Sequence, residues 1–168
     1  MTRPGSDARH GLTVRPFRDI DQPSIRQLVQ ARFGGAPWAD VVRPALEAAL
    51  GGASREARGL AAHAGGVLRG VVVFGDVAGT VGTTRLHLVA VAPDALRGGV
   101  GRVLVSAAGA ELAHTGGRLM MAEMPDDPSL AVALTFLLRS GFEAEARIPD
   151  FYRDGVALVF LRRCLSDA

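Results

Sequence analysis

Lysine and asparagine are missing from this chain, and cysteine, tryptophan and tyrosine each occur once in its 168 residues. Without lysine there is no nucleotide P-loop, because that motif closes on Gly-Lys-Ser/Thr. A lone Cys164 forms no internal disulfide and has no partner for a thiolate metal site, which fits a reducing cytoplasm. His10, His63, His87 and His114 are scattered without ligand spacing, so no metal is expected. Every apolar run is broken by Gly, Pro or a charge well short of the roughly 18 residues a membrane helix needs, so no membrane partner is expected. Met1 to Gly11 is polar and carries no apolar segment, which argues against a signal peptide and reads as a disordered leader, 1–11. The remainder, 12–168, is the right size for one domain with one substantial core. A formal net charge of +2 is too small to argue for a nucleic-acid partner.

What the chain does have is glycine in telling places. From Leu86 to Ala92 an uncharged Val/Leu-rich run reads as a strand buried on both faces, ended by Pro93. Leu96-Arg97-Gly98-Gly99-Val100-Gly101-Arg102 follows, and then Val103, Leu104, Ala107, Ala108 and Leu112 recur at the spacing of one helix face. Strand, glycine turn, helix is an arrangement in which unpaired helix N–H groups and the positive end of the helix dipole face an anion. Gly99 and Gly101 are expected to lack a Cβ where one would meet a diphosphate; the alternative is that they only shape a tight turn. Gly99-Val100-Gly101 has no third glycine at the spacing of the dinucleotide fingerprint, so that reading fails.

The rest of the chain predicts further elements in order. Strands are read at Leu12–Phe17, Gly59–Ala64, Val67–Phe74, Thr84–Ala92, Arg118–Met124, Phe142–Arg147 and Val156–Leu161. Asp19 is read as the cap of a helix whose face is Ile20, Ile25, Leu28, Val29 and Phe33. A second helix, Trp38 to Leu50, carries Val41, Val42, Ala45, Leu46 and Ala49 in phase. Asp127-Pro128 starts a last helix with Leu130, Ala133, Leu134, Leu137 and Leu138 as its buried face, closed by Ser140-Gly141-Phe142.

The segment Leu96 to Gly101, preceded by Val91-Ala92-Pro93, resembles motif A of the GNAT superfamily of N-acetyltransferases, Gln/Arg-x-x-Gly-x-Gly/Ala, with Leu96 at the usual Gln/Arg position. Ser140-Gly141-Phe142 resembles the family's Leu-Gly-Phe ending, and Pro37-Trp38 and Asp150-Phe151-Tyr152-Arg153 are similar to segments of the ribosomal-protein N-terminal acetyltransferase branch. The resemblance implies an α/β (α+β) three-layer fold: a mixed, mostly antiparallel, twisted sheet of six to seven strands, splayed at the cofactor site and flanked by about four helices. It implies acetyl-CoA as co-substrate and transfer of its acetyl group to a primary amine by direct attack through a tetrahedral intermediate. The acceptor stays open between a small-molecule amine and a peptide N-terminus. A homodimer is one expected state, since members of the family often dimerise.

By the same resemblance the main chain of Leu88, Val89, Ala90 and Val91 would bond the pantetheine arm, with an N–H near Val89 as oxyanion donor. Leu96, Arg97, Gly98, Gly99, Val100, Gly101 and Arg102 would hold the diphosphate, Arg97 and Arg102 neutralising phosphate unless they are plain surface charges. Glu123 is the first candidate base, against an exposed strand-end carboxylate. His87, read on one strand face with Val89 and Val91, is the second, against a buried, hydrogen-bonded histidine. Leu137 stands where the family's acid tyrosine usually is, so Tyr152 is the candidate acid, against an exposed loop aromatic. Trp38 and Phe33 would line the acceptor pocket, Trp38 alternatively being a packing anchor between helices. The missing acid at Leu137 keeps a second function in view, a CoA-binding but catalytically idle module.

Overall fold

The computed structural model describes residues 11–52 and 54–165; of the expected leader, residues 1–10 lie outside the described residues. Strands β1 (Leu12–Pro16), β2 (Arg58–Ala64), β3 (Val67–Asp76), β4 (Thr83–Val91), β5 (Leu119–Pro125), β6 (Glu143–Arg153) and β7 (Val156–Cys164) form one sheet in the order β1-β2-β3-β4-β5-β7-β6. Every neighbouring pair is antiparallel except β4 and β5. Helices α1 (Gln22–Phe33) and α2 (Ala39–Leu50) precede β2, α3 (Val100–His114) links β4 to β5, and α4 (Ala131–Arg139) lies between β5 and β6.

Strand alternation divides the core in two. On one face Val72, Phe74, Leu86, Met120, Ala122 and Leu161 pack under α3 residues Leu104, Val105, Ala108 and Leu112. On the other, Ala61, Val71, Val73, Leu88 and Ala90 pack against Ile25, Leu28 and Val29 of α1 and Leu46, Ala49 and Leu50 of α2. Gly70 on β3 lets α3 sit close: a Cβ there would stand 2.9 Å from the Ala90 carbonyl and 3.0 Å from both Leu104 and Val100.

Several expected core positions are not buried. Ile20 is 82% exposed because it falls in a 3-10 turn, Asp19–Asp21, before α1 begins. Asp19 does not cap α1; Asp21 occupies the position before that helix, and its carboxylate reaches back to accept the Arg18 main-chain N–H at 3.0 Å, closing the 3-10 turn. Val41, in the first turn of α2, and Val103, one residue off the stripe that α3 buries, face solvent, as do Ala133 and Leu138 of α4. Of the expected α4 face only Leu137 is buried, while Leu130 and Leu134 are half-buried and Phe136 packs on the core in their company. A short helix with two apolar sides cannot be phased by periodicity alone.

Candidate functional site

The site begins with a failure of strand pairing. β4 and β5 run parallel but pair only where Thr83–Leu86 meets Leu119–Ala122. Past that point β4 continues beside β3 alone, as far as Val91, and β5 continues beside β7 alone, as far as Pro125. The β5-facing main-chain edge of Leu88, Val89, Ala90 and Val91 is therefore without a strand partner, the condition under which an extended ligand can add itself to a sheet.

A bulge accompanies the split. Leu86 opposes Phe74 and Leu88 opposes Val73, so His87 is an extra residue with no partner on β3. It resets the alternation. Leu86, Val89 and Val91 go to the α3 side, whereas Leu88 and Ala90 go to the α1–α2 side. The expectation that His87 shares a face with Val89 and Val91 is corrected here, because it rests on an unbroken period of two. His87 meets the main chain of Glu56 and the charge of Arg85; burial first, then that charge, pulls its pKa below the ordinary histidine range, with the Glu56 bond opposing.

At the end of the split strand stands the glycine turn. Arg97 and Gly99 both have left-handed backbone, φ 63° and 83°, a region that suits glycine and strains arginine. Gly99 immediately precedes α3, no side chain caps that helix end, and a Cβ on Gly99 would meet nothing within 4 Å. Leu96, Arg97, Gly98, Gly99 and Arg102 are exposed, and neither Arg97 nor Arg102 makes an ion pair among the described residues. The main chain here is thus open to an anion. Val100 and Gly101, in contrast, are buried. A Cβ on Gly101 would stand 3.1 Å from the Phe136 ring and 3.4 Å from Val91, so this glycine admits α4 against α3 and its missing side chain does not face a ligand. A side chain at Gly99 would thus enter open space, and one at Gly101 would meet protein.

Two of the expected site residues, Trp38 and Tyr152, come together. Residues 149–152 lie outside the β6–β7 register, between the pairs Ile148 with Leu158 and Arg153 with Val156. Asp150, at φ 53°, closes this excursion by accepting the Gly155 N–H at 2.8 Å. The excursion carries Tyr152 edge-on to Trp38, ring centroids 5.4 Å apart, and Phe151 edge-on to Tyr152 at 5.0 Å. Tyr152 is pushed above its ordinary pKa, first by burial and then by the charge of Glu123. Glu123 sits on β5 one residue past the last pair with β4, and its Oε1 accepts from Arg85 Nη2 at 2.9 Å. Phe33 does not join them; it packs with the α1–α2 cluster and lines a groove between those helices with Val42 and Leu46. Leu137, at the expected position of the missing acid, is core.

Arg85 is the site residue that sequence reasoning passed over. The signal was present: a charged residue, Arg85, directly before a run read as buried on both faces, with His87 two positions on. Among the described residues no group of three His, Cys, Asp or Glu is disposed to hold a metal, and no helix is long and apolar enough to cross a membrane.

Comparison with solved structures places this arrangement. A GNAT-family protein from Desulfovibrio desulfuricans superposes with a TM-score of 0.83 at 29% identity, over 92% of this chain and 99% of that one. The fold is that of the GNAT N-acetyltransferases. Two more distant GNAT structures share it. The aminoglycoside 6'-N-acetyltransferase from Enterococcus faecium has a TM-score of 0.76 at 14% identity, covering 93% of this chain and 98% of that one. The ribosomal-protein-S18-alanine N-acetyltransferase from Escherichia coli has a TM-score of 0.70 at 20% identity, covering 94% and 96%. Among the further GNAT neighbours, an aminoglycoside 6'-N-acetyltransferase is complexed with coenzyme A and a Salmonella typhimurium protein with acetyl-CoA. No protein-family model and no curated protein sequence matches the chain.

Proposed function

We propose that the chain is an acyl-CoA-dependent N-acyltransferase that acetylates a primary amine. The observation that carries this reading is the split between β4 and β5 beyond Leu86 and Ala122, ending on the open turn at Gly99. An extended pantetheine arm fits the free edge of Leu88 to Val91, and a diphosphate fits the exposed N–H groups between Leu96 and Arg102, with Arg97 and Arg102 supplying charge. Val100 and Gly101 contribute main chain only. When bound, acetyl-CoA supplies an activated acyl thioester.

Glu123 and Tyr152 then have distinct work. Glu123 takes the proton that the incoming ammonium must lose; for a lysine-like amine of pKa near 10.4 that loss costs about 4.6 kcal/mol at pH 7, and for an α-amino group near 8 about 1 kcal/mol. Arg85 holds Oε1 of this carboxylate and leaves Oε2 without a hydrogen bond among the described residues. Tyr152 keeps its hydroxyl proton, because burial and the Glu123 charge both oppose its loss. His87 is the second base in rank. Its depressed pKa keeps the imidazole neutral at pH 7, but it lies at the bulge and is engaged with the Glu56 main chain. Trp38 walls the acceptor side through Tyr152, and Phe33 has a structural part. The reading takes 12–168 as one domain, working in the cytoplasm.

Thermal unfolding with and without CoA, followed by acetyl-CoA turnover against an amine panel, tests this. At about 100 times its dissociation constant CoA should add about 2.7 kcal/mol of stability. A shift with turnover is the expected result. A shift without turnover of any amine would make the protein an idle CoA-binding module, and no shift would overturn the whole reading.

A further inference from the structure

The face of the sheet that carries Glu123 is half bare. The α1–α2 cluster contains residues of β2, β3 and β4 and none of β5 or β7. Arg85 lies directly opposite Met121 and Glu123 directly opposite Phe160, so these four side chains form a contiguous floor opposite the α3 core. Trp38 and Tyr152 form an edge-on aromatic pair, and Tyr152 feels the charge of Glu123 on that floor. Besides Arg162, which lies opposite Met121 and is paired with Glu145 and Glu143, the charges of this floor are one ion pair, and that pair is open to solvent: Arg85 is 41% exposed and Glu123 28%. Arg85 gives one hydrogen bond, to Glu123, and its Nε is buried without a partner among the described residues.

This arrangement discriminates between amines. A bare ammonium approaching Glu123 meets the Arg85 guanidinium already there, and two cations then share one carboxylate. An amine that carries its own carboxylate removes that conflict: its anion pairs with Arg85, its ammonium with Glu123, and the four charges alternate in sign. Guanidinium is suited to this, having a planar fork of donors matched to a carboxylate.

We propose that the acceptor is a free amino acid with an apolar or aromatic side chain, its carboxylate held by Arg85, its amino group beside Glu123, and its side chain against Trp38 and Tyr152. This rests on the transferase reading only for what happens next. Glu123 receives the first proton, which the ammonium loses; the freed amino nitrogen bonds to the acetyl carbon, the bond from that carbon to sulfur breaks, the departing sulfur takes the Tyr152 proton, and the second proton of the nitrogen returns Tyr152 to the phenol through solvent. The binding itself needs only the side chains named.

Matched triplets test it: phenylalanine, phenylalaninamide and phenethylamine, and likewise leucine, leucinamide and isoamylamine, with wild type and with Arg85→Met and Arg85→Lys. Calorimetry on the CoA-saturated protein reads binding, and thiol release from acetyl-CoA reads transfer. The expected result is that wild type favours the amino acid over its amide and its decarboxylated amine by about 30-fold, the scale of a charge-assisted contact. Arg85→Met should bring that preference to within about threefold, and Arg85→Lys should keep part of it. Equal or better handling of the amide or the bare amine by wild type overturns the inference, as does no binding of any member, or a preference that survives Arg85→Met. Amino-acid binding that depends on Arg85 but never leads to transfer would support the inference and remove the transferase reading. Transfer to bare amines alone would do the reverse.

Discussion

Replacing Tyr152 by Phe removes one oxygen and leaves the ring, which makes it a narrow probe of the proposed acid. The edge-on contacts to Trp38 at 5.4 Å and to Phe151 at 5.0 Å depend on the ring, and the hydroxyl has no hydrogen-bond partner among the described residues. The fold should therefore be unmoved, within about 0.5 kcal/mol. The catalytic effect is bounded from both sides. A positioned general acid is worth about 100- to 10,000-fold. Against that, the leaving thiol, with a pKa near 8.5, is a stronger acid than a phenol near 10, so protonating it from Tyr152 runs uphill by about 2 kcal/mol or more. A loss of about 10- to 100-fold in kcat follows. Because the Tyr152 pKa is raised, the phenol persists above pH 10, and the alkaline fall in kcat should begin only beyond that value and vanish in the variant. Thiol release at saturating donor and acceptor, from pH 7 to 11, is the assay. A Phe variant within twofold of wild type across that range would refute the acid role.

Two more outcomes follow from particular contacts. Gly99→Asp should abolish stabilisation by CoA at a folding cost of about 1 kcal/mol, since its Cβ enters open space at φ 83°, whereas Gly101→Ala should cost about 1 to 3 kcal/mol by pressing on Phe136; thermal melts showing Gly101→Ala to be neutral would refute the packing account. Asp21 is held below the ordinary carboxylate range by the hydrogen bond from Arg15 first, with burial opposing and His63 nearby at 3.3 Å. Its contribution is complete above about pH 4 and is lost as pH falls through the lower folded value. The urea midpoint of wild type should thus drop more steeply between pH 5 and 3 than that of Asp21→Asn, and parallel slopes would exclude this carboxylate as the source.

The sequence carried the order of elements well because local chemistry states it directly. Gly65-Gly66 between two apolar runs marks the β2–β3 hairpin, and the glycine turn after Pro93 marks the entry to α3, both written in adjacent residues. Glu123, Trp38 and Tyr152 could be named only through the resemblance of their segments to a known family, and the contact of Trp38 with Tyr152 joins chain segments far apart. What stayed hidden was pairing. Nothing in the Leu86–Ala92 run tells how many of its residues β5 will accompany, or that His87 is surplus to β3, because an apolar stretch reads alike with and without a bulge. The same limit produced the errors at Ile20 and Val103, where a period was followed past the point at which the backbone or the neighbouring sheet changed phase.

The surplus residue on β4 sets the tolerance of the whole strand to change. Any side chain that leaves the main chain bowed at His87 preserves the assignment of Leu88 and Ala90 to one compartment and of Val89 and Val91 to the other. Flattening that bow with the residue still present would slide everything after it by one step and exchange the two rows, putting valines where the α1–α2 layer has fitted leucine and alanine, whereas excising the residue leaves Leu86 opposite Phe74, Leu88 opposite Val73 and both rows in place. For the packing of the strand, losing residue 87 is thus tolerable and losing its bow is not.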